Sequence, residues 1–446
     1  MYQRDALTHL RAWKDKTDRK PLVLRGARQV GKTTLINTFG KEFDNYLYLN
    51  LEREEEAELF EPKQDMEKLI TSIYLFCNKP KKEGTTLLFI DEIQNSAKAV
   101  SLLRYFYEKE PWLHVIAAGS MLENLEKQKI SFPVGRVEYM ALRPFSFLEF
   151  LSALGENLLA EAIRTLSVPE AIHPKILSLF NTYTLIGGMP EVIKSYVKNK
   201  DIVSLNDIYD TLLTGYRDDV EKYAPNDTMT NVIRYIIQYG MPFAAQEIKL
   251  GDFAGSTYKA REVGEAFRIL EKSMLAELVY PSTTTAIPAP PEMRRSPKLL
   301  WLDTGLVNYA SGLQKEIFGA TDILDVYKGK IAEQIVGQEI ATTDKHYTYK
   351  RHFWTRDKKG SDAEMDFVYP LDSLMIPVEV KAGSNAHLKS LHIYMDSCPH
   401  KIAVRVWSQP FSVNEVVTSL GKSFSLLNIP FYYVGQLREL ISAQFS

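Results

Sequence analysis

The strand-like run Pro21 to Leu24 leads into Gly26-Ala27-Arg28-Gln29-Val30-Gly31-Lys32-Thr33-Thr34, with the spacing Gly, four residues, Gly-Lys-Thr. This is the pattern of a loop that wraps phosphate. Glycines at both ends let main-chain N–H groups from Gly26 to Thr34 approach phosphate oxygens, and the helix opening at Lys32 adds its positive end. Lys32 is placed to reach the β- and γ-phosphates, and the Thr33 hydroxyl to ligate Mg²⁺. The chemistry expected is binding of ATP or GTP with Mg²⁺, followed by hydrolysis.

Hydrolysis needs carboxylates, and Thr85-Thr86-Leu87-Leu88-Phe89-Ile90 runs straight into Asp91-Glu92-Ile93-Gln94. The apolar run reads as a buried parallel strand, and ligands of open α/β sheets bind at such carboxyl ends. Asp91 then holds Mg²⁺ through water, while Glu92 orients or deprotonates the attacking water. A further run, Leu113 to Ala118, ends in Gly119-Ser120, where Ser120 is either a polar sensor beside the γ-phosphate or the N-cap of the next helix.

A second constellation lies in the last third of the chain. Ala363 to Val368 and Ile376 to Lys381 both alternate, so Asp366 takes one side of its strand, with Met365 and Phe367 on the other, and Glu379 shares a face with Lys381. Pairing these strands would collect Asp366, Glu379 and Lys381, joined by Glu333 from a helix over Val326 to Ala341. The set resembles the PD-(D/E)XK nuclease arrangement. That resemblance implies Mg²⁺ on Glu333, Asp366 and Glu379, with Glu379 and Lys381 acting on the water that attacks a phosphodiester. The same pattern also describes a sheet whose outer face is merely charged. A helix over His387 to Met395 and a strand over Ile402 to Trp407 complete the expected order. Between the two motifs, Lys350 to Arg356 and Lys358-Lys359-Gly360 form a basic, aromatic hairpin that either meets nucleic acid or uses Phe353 or Trp354 to cover the core.

The elements that must hold these residues alternate. Strands at Pro21 to Leu24, Tyr46 to Leu51, Leu87 to Ile90 and Leu113 to Ala118, separated by helical stretches, predict an α/β fold with a parallel sheet. Pro144 to Pro225 is mostly helical and reads as a lid. Helices at Asn231 to Gln238, near Ala244 to Ile248 and at Ser256 to Met274, then a strand at Leu275 to Tyr280, predict a winged helix. Its third helix carries Tyr258, Lys259, Arg261 and Arg268, interleaved with Glu262, Glu265 and Glu271, so either DNA contact or a packing or oligomerisation role is open to it. Pro281 to Pro297 reads as an extended wing or linker, Leu299 to Leu302 as a short strand completing the wing, and Asp303 as a turn-forming carboxylate.

The 446 residues suggest about three domains of ordinary size. Lys and Arg number 54 against 56 Asp and Glu, giving a formal charge of −2, so no global basic field favours nucleic acid or an anionic membrane. Cys77 and Cys398 have no metal-ligand spacing, and two cysteines so far apart make no disulfide framework. Met1 to Lys20 has no apolar core of a signal sequence, and no run approaches a membrane helix. A cytoplasmic protein with no membrane partner is expected.

Arg25 before the phosphate loop, the strand ending Asp-Glu-Ile-Gln, Ala118-Gly119-Ser120-Met121-Leu122, Gly135-Arg136, Leu142-Arg143-Pro144-Phe145-Ser146, Glu149-Phe150 and Ile186-Gly187-Gly188-Met189-Pro190 occur in one order. In that order the chain resembles, nearly end to end, the bacterial and archaeal AAA-type ATPases that carry a carboxyl-terminal domain of unknown function. The resemblance implies an AAA-type ATP-binding core over residues 1–145, a helical lid over 146–225, a winged-helix module and linker over 226–325, and a nuclease-like domain over 326–446. Arg136 resembles an arginine finger supplied by a neighbouring subunit, which would make the active species a homo-oligomer; otherwise it is a surface arginine paired with Glu138. Two functions follow: an ATPase that binds or processes DNA, or a nucleotide-dependent switch or scaffold whose nuclease fold cuts nothing.

Overall fold

The computed structural model describes residues 2–61, 65–81, 83–119, 133–222, 224–314, 329–358, 363–381 and 388–445. The amino-terminal helix α1 (Ala6–Lys14) buries Leu7, Leu10 and Trp13 and is followed by β1 (Leu22–Arg25) and α2 (Lys32–Phe39). Next come β2 (Asn45–Asn50), α3 (Glu54–Glu58), α4 (Met66–Phe76), β3 (Thr86–Asp91), α5 (Ala97–Lys109), β4 (His114–Gly119) and β5 (Glu138–Ala141). These five strands form one sheet in the order β2-β3-β4-β1-β5, with every pairing parallel. β3 and β4 are buried throughout, as a strand covered by helices on both faces must be, whereas the edge strand β2 alternates buried and half-buried. β4 lies between β1 and β3, so the phosphate-loop strand and the Asp-Glu strand are one strand apart.

The helical region comprises α6 (Phe147–Leu154), α7 (Asn157–Arg164), α8 (His173–Ile186), α9 (Pro190–Asn199) and α10 (Asn206–Asp218). A capping box starts α6: Ser146 accepts from the Glu149 N–H, and Glu149 accepts from the Ser146 N–H at 3.0 Å. Glu149 also pairs with buried Arg4 at 3.0 Å, tying the region to the amino terminus. The Ser-x-x-Glu of the family-like motif is therefore a helix start.

The next module runs α11 (Asp227–Tyr239), β6 (Gln246–Glu247), α12 (Ala260–Lys272), β7 (Ala276–Val279), β8 (Pro281–Ser282), β9 (Lys298–Trp301) and α13 (Thr304–Ala310). β6, β9 and β7 form an antiparallel sheet in that order. The short helix expected near Ala244 to Ile248 is instead a 3-10 turn, Met241–Phe243, and the strand β6. Pro242 interrupts the helical ladder, and Gln246 and Glu247 find their backbone partners on β9. β8, from the segment expected to be a linker, forms the edge of a different sheet.

The carboxyl-terminal part contains α14 (Lys330–Thr342), β10 (Phe353–Thr355), β11 (Glu364–Met365), β12 (Phe367–Leu371), β13 (Leu374–Val380), α15 (Lys389–Ser397), β14 (Ile402–Trp407), β15 (Ser412–Val417), β16 (Ser423–Pro430) and α16 (Leu437–Phe445). Residues 326–328, at the expected start of α14, and 382–387, before α15, lie outside the described residues. A mixed five-stranded sheet runs β12-β13-β14-β16-β15, and a second sheet runs β11-β10-β8. The single strand expected from Ala363 to Val368 is thus split at Asp366 between two sheets.

The modules meet around buried polar groups. Asp303 caps α13 through the Leu306 N–H and accepts from the Gly188 N–H at 2.6 Å. A Cβ at Gly188 would fall 2.3 Å from the Phe145 carbonyl oxygen, so the Gly-Gly turn is required by this close approach. Nearby, Tyr183 donates to Glu339 at 2.7 Å, and the Phe147 N–H points at the same carboxylate. Among the described residues, no helix is long and apolar enough to cross a membrane.

Candidate functional site

At the end of β1 the chain turns through Gln29 (φ 65°) and Gly31 (φ 93°), left-handed conformations that bend the loop before α2 begins at Lys32. Ala27 and Val30 are fully buried and anchor the loop beneath. Lys32 is buried and donates to the carbonyls of Gly26 at 2.9 Å and Ala27 at 3.0 Å. Burial pushes its ammonium down to about 8, partly opposed by Glu92 and Asp91. The Arg28 side chain is paired with Asp219, at the end of the helical region, while Tyr216 donates to the Arg28 carbonyl at 3.1 Å.

The two halves of the expected site come together. Thr33 Oγ1 donates to Asp91 Oδ2 at 2.6 Å, joining the loop to the end of β3 across 58 residues of sequence. Asp91 also accepts from the Glu92 N–H at 3.1 Å, and burial raises its carboxyl above the ordinary value. Glu92 has φ 49°, a left-handed conformation that costs a non-glycine residue of order 1 kcal/mol and is common at active sites. Gln94 donates its amide to Glu92 Oε2 and holds that strained residue in one orientation. Its role was visible in the sequence only as proximity to Glu92.

A cavity of about 550 Å³ lies against the same loop, lined by Gly31, Thr34 and Leu35 on one side and by Tyr2, Phe145 and Pro190 among others on the opposite wall. No motif singled out Tyr2, because its contribution depends on α1 folding beside α2.

Ser120 lies outside the described residues. Arg136 is partly exposed and pairs with Glu108 at 3.1 Å, not with Glu138, which is taken by Lys16.

In the carboxyl-terminal constellation, Asp366 Oδ2 accepts from the Val380 N–H at 2.7 Å, and Glu379 Oε1 pairs with Lys381 at 3.2 Å. Burial raises both carboxyls above their ordinary values, helped by the charge of Glu333 at Asp366 and by that of Asp366 at Glu379. Glu379 Oε2 is buried with no hydrogen-bond partner. Glu333 is differently engaged: it pairs with Lys298 at 3.1 Å and Lys330 at 2.7 Å. Lys298, fully buried in β9, also reaches Glu364 at 2.7 Å and the Phe353 ring at 5.0 Å. Burial works to lower its pKa, but the charges of Glu333, Glu364 and Asp366 outweigh it and hold the ammonium above its ordinary value. Lys298 was missed because a lysine opening an apolar strand reads as a polar strand end. Among the described residues, no three His, Cys, Asp or Glu side chains stand in metal-ligand geometry. The orphan Glu379 oxygen beside Asp366 suits a divalent cation, whereas Glu333 is committed to lysines.

The basic hairpin is equally committed. Phe353 and Trp354 are both buried, Arg351 pairs with Glu277 at 2.7 Å, and Lys350 pairs with Glu271 at 2.8 Å. Its tip, residues 359–362, lies outside the described residues.

A family model described as an AAA domain matches residues 18–151, and two models of domains of unknown function, DUF8612 and DUF4143, match 177–317 and 328–430. Loop, sheet and model agree that the amino-terminal part is an AAA-type P-loop ATPase domain. Solved structures similar to the chain include a Walker-type ATPase of Pyrococcus abyssi, at 14% identity, covering 70% of this chain and 96% of that one with a TM-score of 0.43. Another is the ORC1 protein of Aeropyrum pernix in complex with DNA, at 12% identity, 70% and 93% coverage and a TM-score of 0.25. A third is PCH-2 of C. elegans, at 12% identity, 44% and 60% coverage and a TM-score of 0.27. Overlaps this low carry no argument about this chain. No curated protein matches it.

Proposed function

We propose that the chain is a Mg²⁺-dependent ATPase whose hydrolytic cycle drives DNA binding or processing by its carboxyl-terminal modules. The observation that carries the ATPase reading is the Thr33–Asp91 hydrogen bond with Glu92 beside it, strained and held by Gln94. In this reading the loop N–H groups and Lys32 bind the phosphates, and the base occupies the cavity between Tyr2 and Pro190. Thr33 and Asp91 hold Mg²⁺, which neutralises charge developing on the phosphates. Glu92 positions the water and takes its proton, a contribution typically worth about 10²–10⁴-fold. The Arg28–Asp219 pair gives the helical region a direct grip on the loop, so changes at the phosphates reach the lid.

DNA coupling is supported by the order α11, β6, α12, β7, β9 with its antiparallel sheet, which resembles a winged helix without the expected middle helix, and by the exposed Lys259 and Arg261 before and on α12. Asp366, Glu379 and Lys381 supply the nuclease-like part. A second reading, the switch or scaffold with an uncatalytic nuclease fold, is favoured by one observation: Lys298 places a permanent cation among carboxylates that a metal would otherwise need.

The test is the ATPase rate with and without DNA, alongside Lys32→Ala. The proposal predicts turnover that DNA accelerates and that Lys32→Ala abolishes; turnover indifferent to DNA favours the scaffold, and none at all rejects both readings. For the second site, Mg²⁺ or Mn²⁺ should raise the melting temperature of Lys32→Ala but not of Lys32→Ala with Asp366→Asn, and should support nicking of plasmid DNA. Neither effect would leave the nuclease fold as a scaffold.

A further inference from the structure

Where the P-loop domain, the second module and the carboxyl-terminal part meet, a cleft of about 370 Å³ opens that shares no lining residue with the cavity beside the phosphate loop. Its volume is that of a small-molecule site. Five cationic side chains line it, Arg143, Arg268, Lys272, Lys350 and Arg351, against two carboxylates, Glu271 and Glu277. On a chain of net charge −2 this excess is local. Both carboxylates are already paired, Glu277 with Arg351 and Glu271 with Lys350.

Arg143 differs from these. Its guanidinium donates to the main-chain carbonyl of Asp344 at 2.9 Å, and among the described residues no carboxylate lies within ion-pair distance of it. Burial, with the nearby charge of Arg351, pushes it down to about 10. Glu277 and Asp344 act on it only from beyond pairing distance, and a desolvated guanidinium without a paired carboxylate has a planar fork that matches phosphate oxygens. The half-buried Tyr347, Tyr349 and Met274 give the cleft aromatic and apolar wall beside this cationic side.

We propose that the cleft binds a small phosphorylated ligand of the nucleoside monophosphate class, its phosphate toward Arg143 and Arg268 and its base against Tyr347 and Tyr349. The same wall includes Tyr347, whose ring lies 4.1 Å from the Arg25 guanidinium, the residue directly before Gly26. Lys345 accepts from the Ala141 N–H at 2.8 Å at the end of β5, which pairs with β1. A ligand ordering residues 345–351 therefore acts on the strand that carries the phosphate loop, as an effector of the first site.

The probe is AMP, measured by calorimetry on the full chain carrying Lys32→Ala, with inorganic phosphate as competitor. One AMP should bind per chain, phosphate should displace it, and Arg143→Met should weaken binding by roughly tenfold to a hundredfold, as loss of a charged hydrogen-bonding partner does. Should Arg143→Met fold poorly, Arg268→Glu, at an exposed position, should give a loss of at least roughly tenfold by the same reasoning. No AMP binding to Lys32→Ala, binding indifferent to Arg268→Glu, or occupation by a short single-stranded DNA in place of AMP would each overturn the proposal.

Discussion

The phosphate-loop site and the carboxyl-terminal cluster both place carboxylates at the ends of β-strands, and they dispose of the charge differently. At the first, both oxygens of Asp91 accept from neutral donors, the Thr33 hydroxyl and a main-chain N–H, and Glu92 is held by the Gln94 amide. At the second, Glu333 is held by two lysines while Glu379 keeps a buried oxygen without a partner next to Asp366. Neutral donors leave a carboxylate's charge available to a metal or a proton; a buried ammonium consumes it. Among the described residues, the first arrangement leaves its carboxylates unpaired with a lysine or arginine, and the second sets Asp366 and Glu379 beside a buried ion cluster around Lys298.

The largest effect should come from outside the chain's own nucleotide site. If Arg136 is a finger serving a neighbouring copy, Arg136→Ala should lower turnover by about 10³-fold or more without changing ATP affinity. Mixing it with Glu92→Gln should restore part of the activity, because the two defects lie on opposite sides of one interface. A rate independent of protein concentration, with no recovery on mixing, would leave Arg136 as the surface partner of Glu108.

Next in size is the buried ion cluster. Lys298→Met removes the buried ammonium that pairs with both Glu333 and Glu364, and should destabilise the protein by about 3–5 kcal/mol in urea unfolding. Adding Glu333→Gln should recover part of the loss. If Lys298→Met is neutral, the cluster is not structural and the contrast between the two acidic sites disappears.

The smallest effect tests a third carboxylate, held like Asp91 by neutral donors. Burial pushes Glu339 up to about 7 from an ordinary 4.5. A carboxyl raised on folding stabilises fully below its unfolded pKa, and that contribution is lost as pH rises through the folded value. Glu339→Gln, which keeps an acceptor for Tyr183 and the Phe147 N–H, should therefore gain on wild type between pH 5 and pH 8, by on the order of 1 kcal/mol. A difference that shrinks over that range would mean Glu339 is held ionised.

How much of this was legible in the sequence follows from how local each site is. The phosphate loop is nine consecutive residues whose backbone conformation is fixed by glycine and the helix start, and Asp91-Glu92 ends an unmistakable apolar strand, so the first site could be read almost entirely. What could not be read there came from through-space neighbours: Tyr2 ahead of α1, and Glu108 as the partner of Arg136 in place of Glu138 two residues away. The second site draws on α14, the break at Asp366, β13 and β9. Alternation placed Glu379 and Lys381 on one face, but it could not show that Asp366 sits where the chain leaves one sheet for another, or that Lys298 arrives from the preceding module. The helix expected at Ala244 to Ile248 failed for a related reason, since a short apolar stretch takes the structure of whatever strand lies beside it.

The central claim is that the phosphate-loop site is a hydrolytic centre with Glu92 as its base. Single-turnover hydrolysis of saturating Mg²⁺-ATP, measured together with nucleotide affinity, tests it directly. Glu92→Gln should bind ATP as wild type does and hydrolyse it at least about 10²-fold more slowly; equal hydrolysis rates for the two proteins would contradict the assignment.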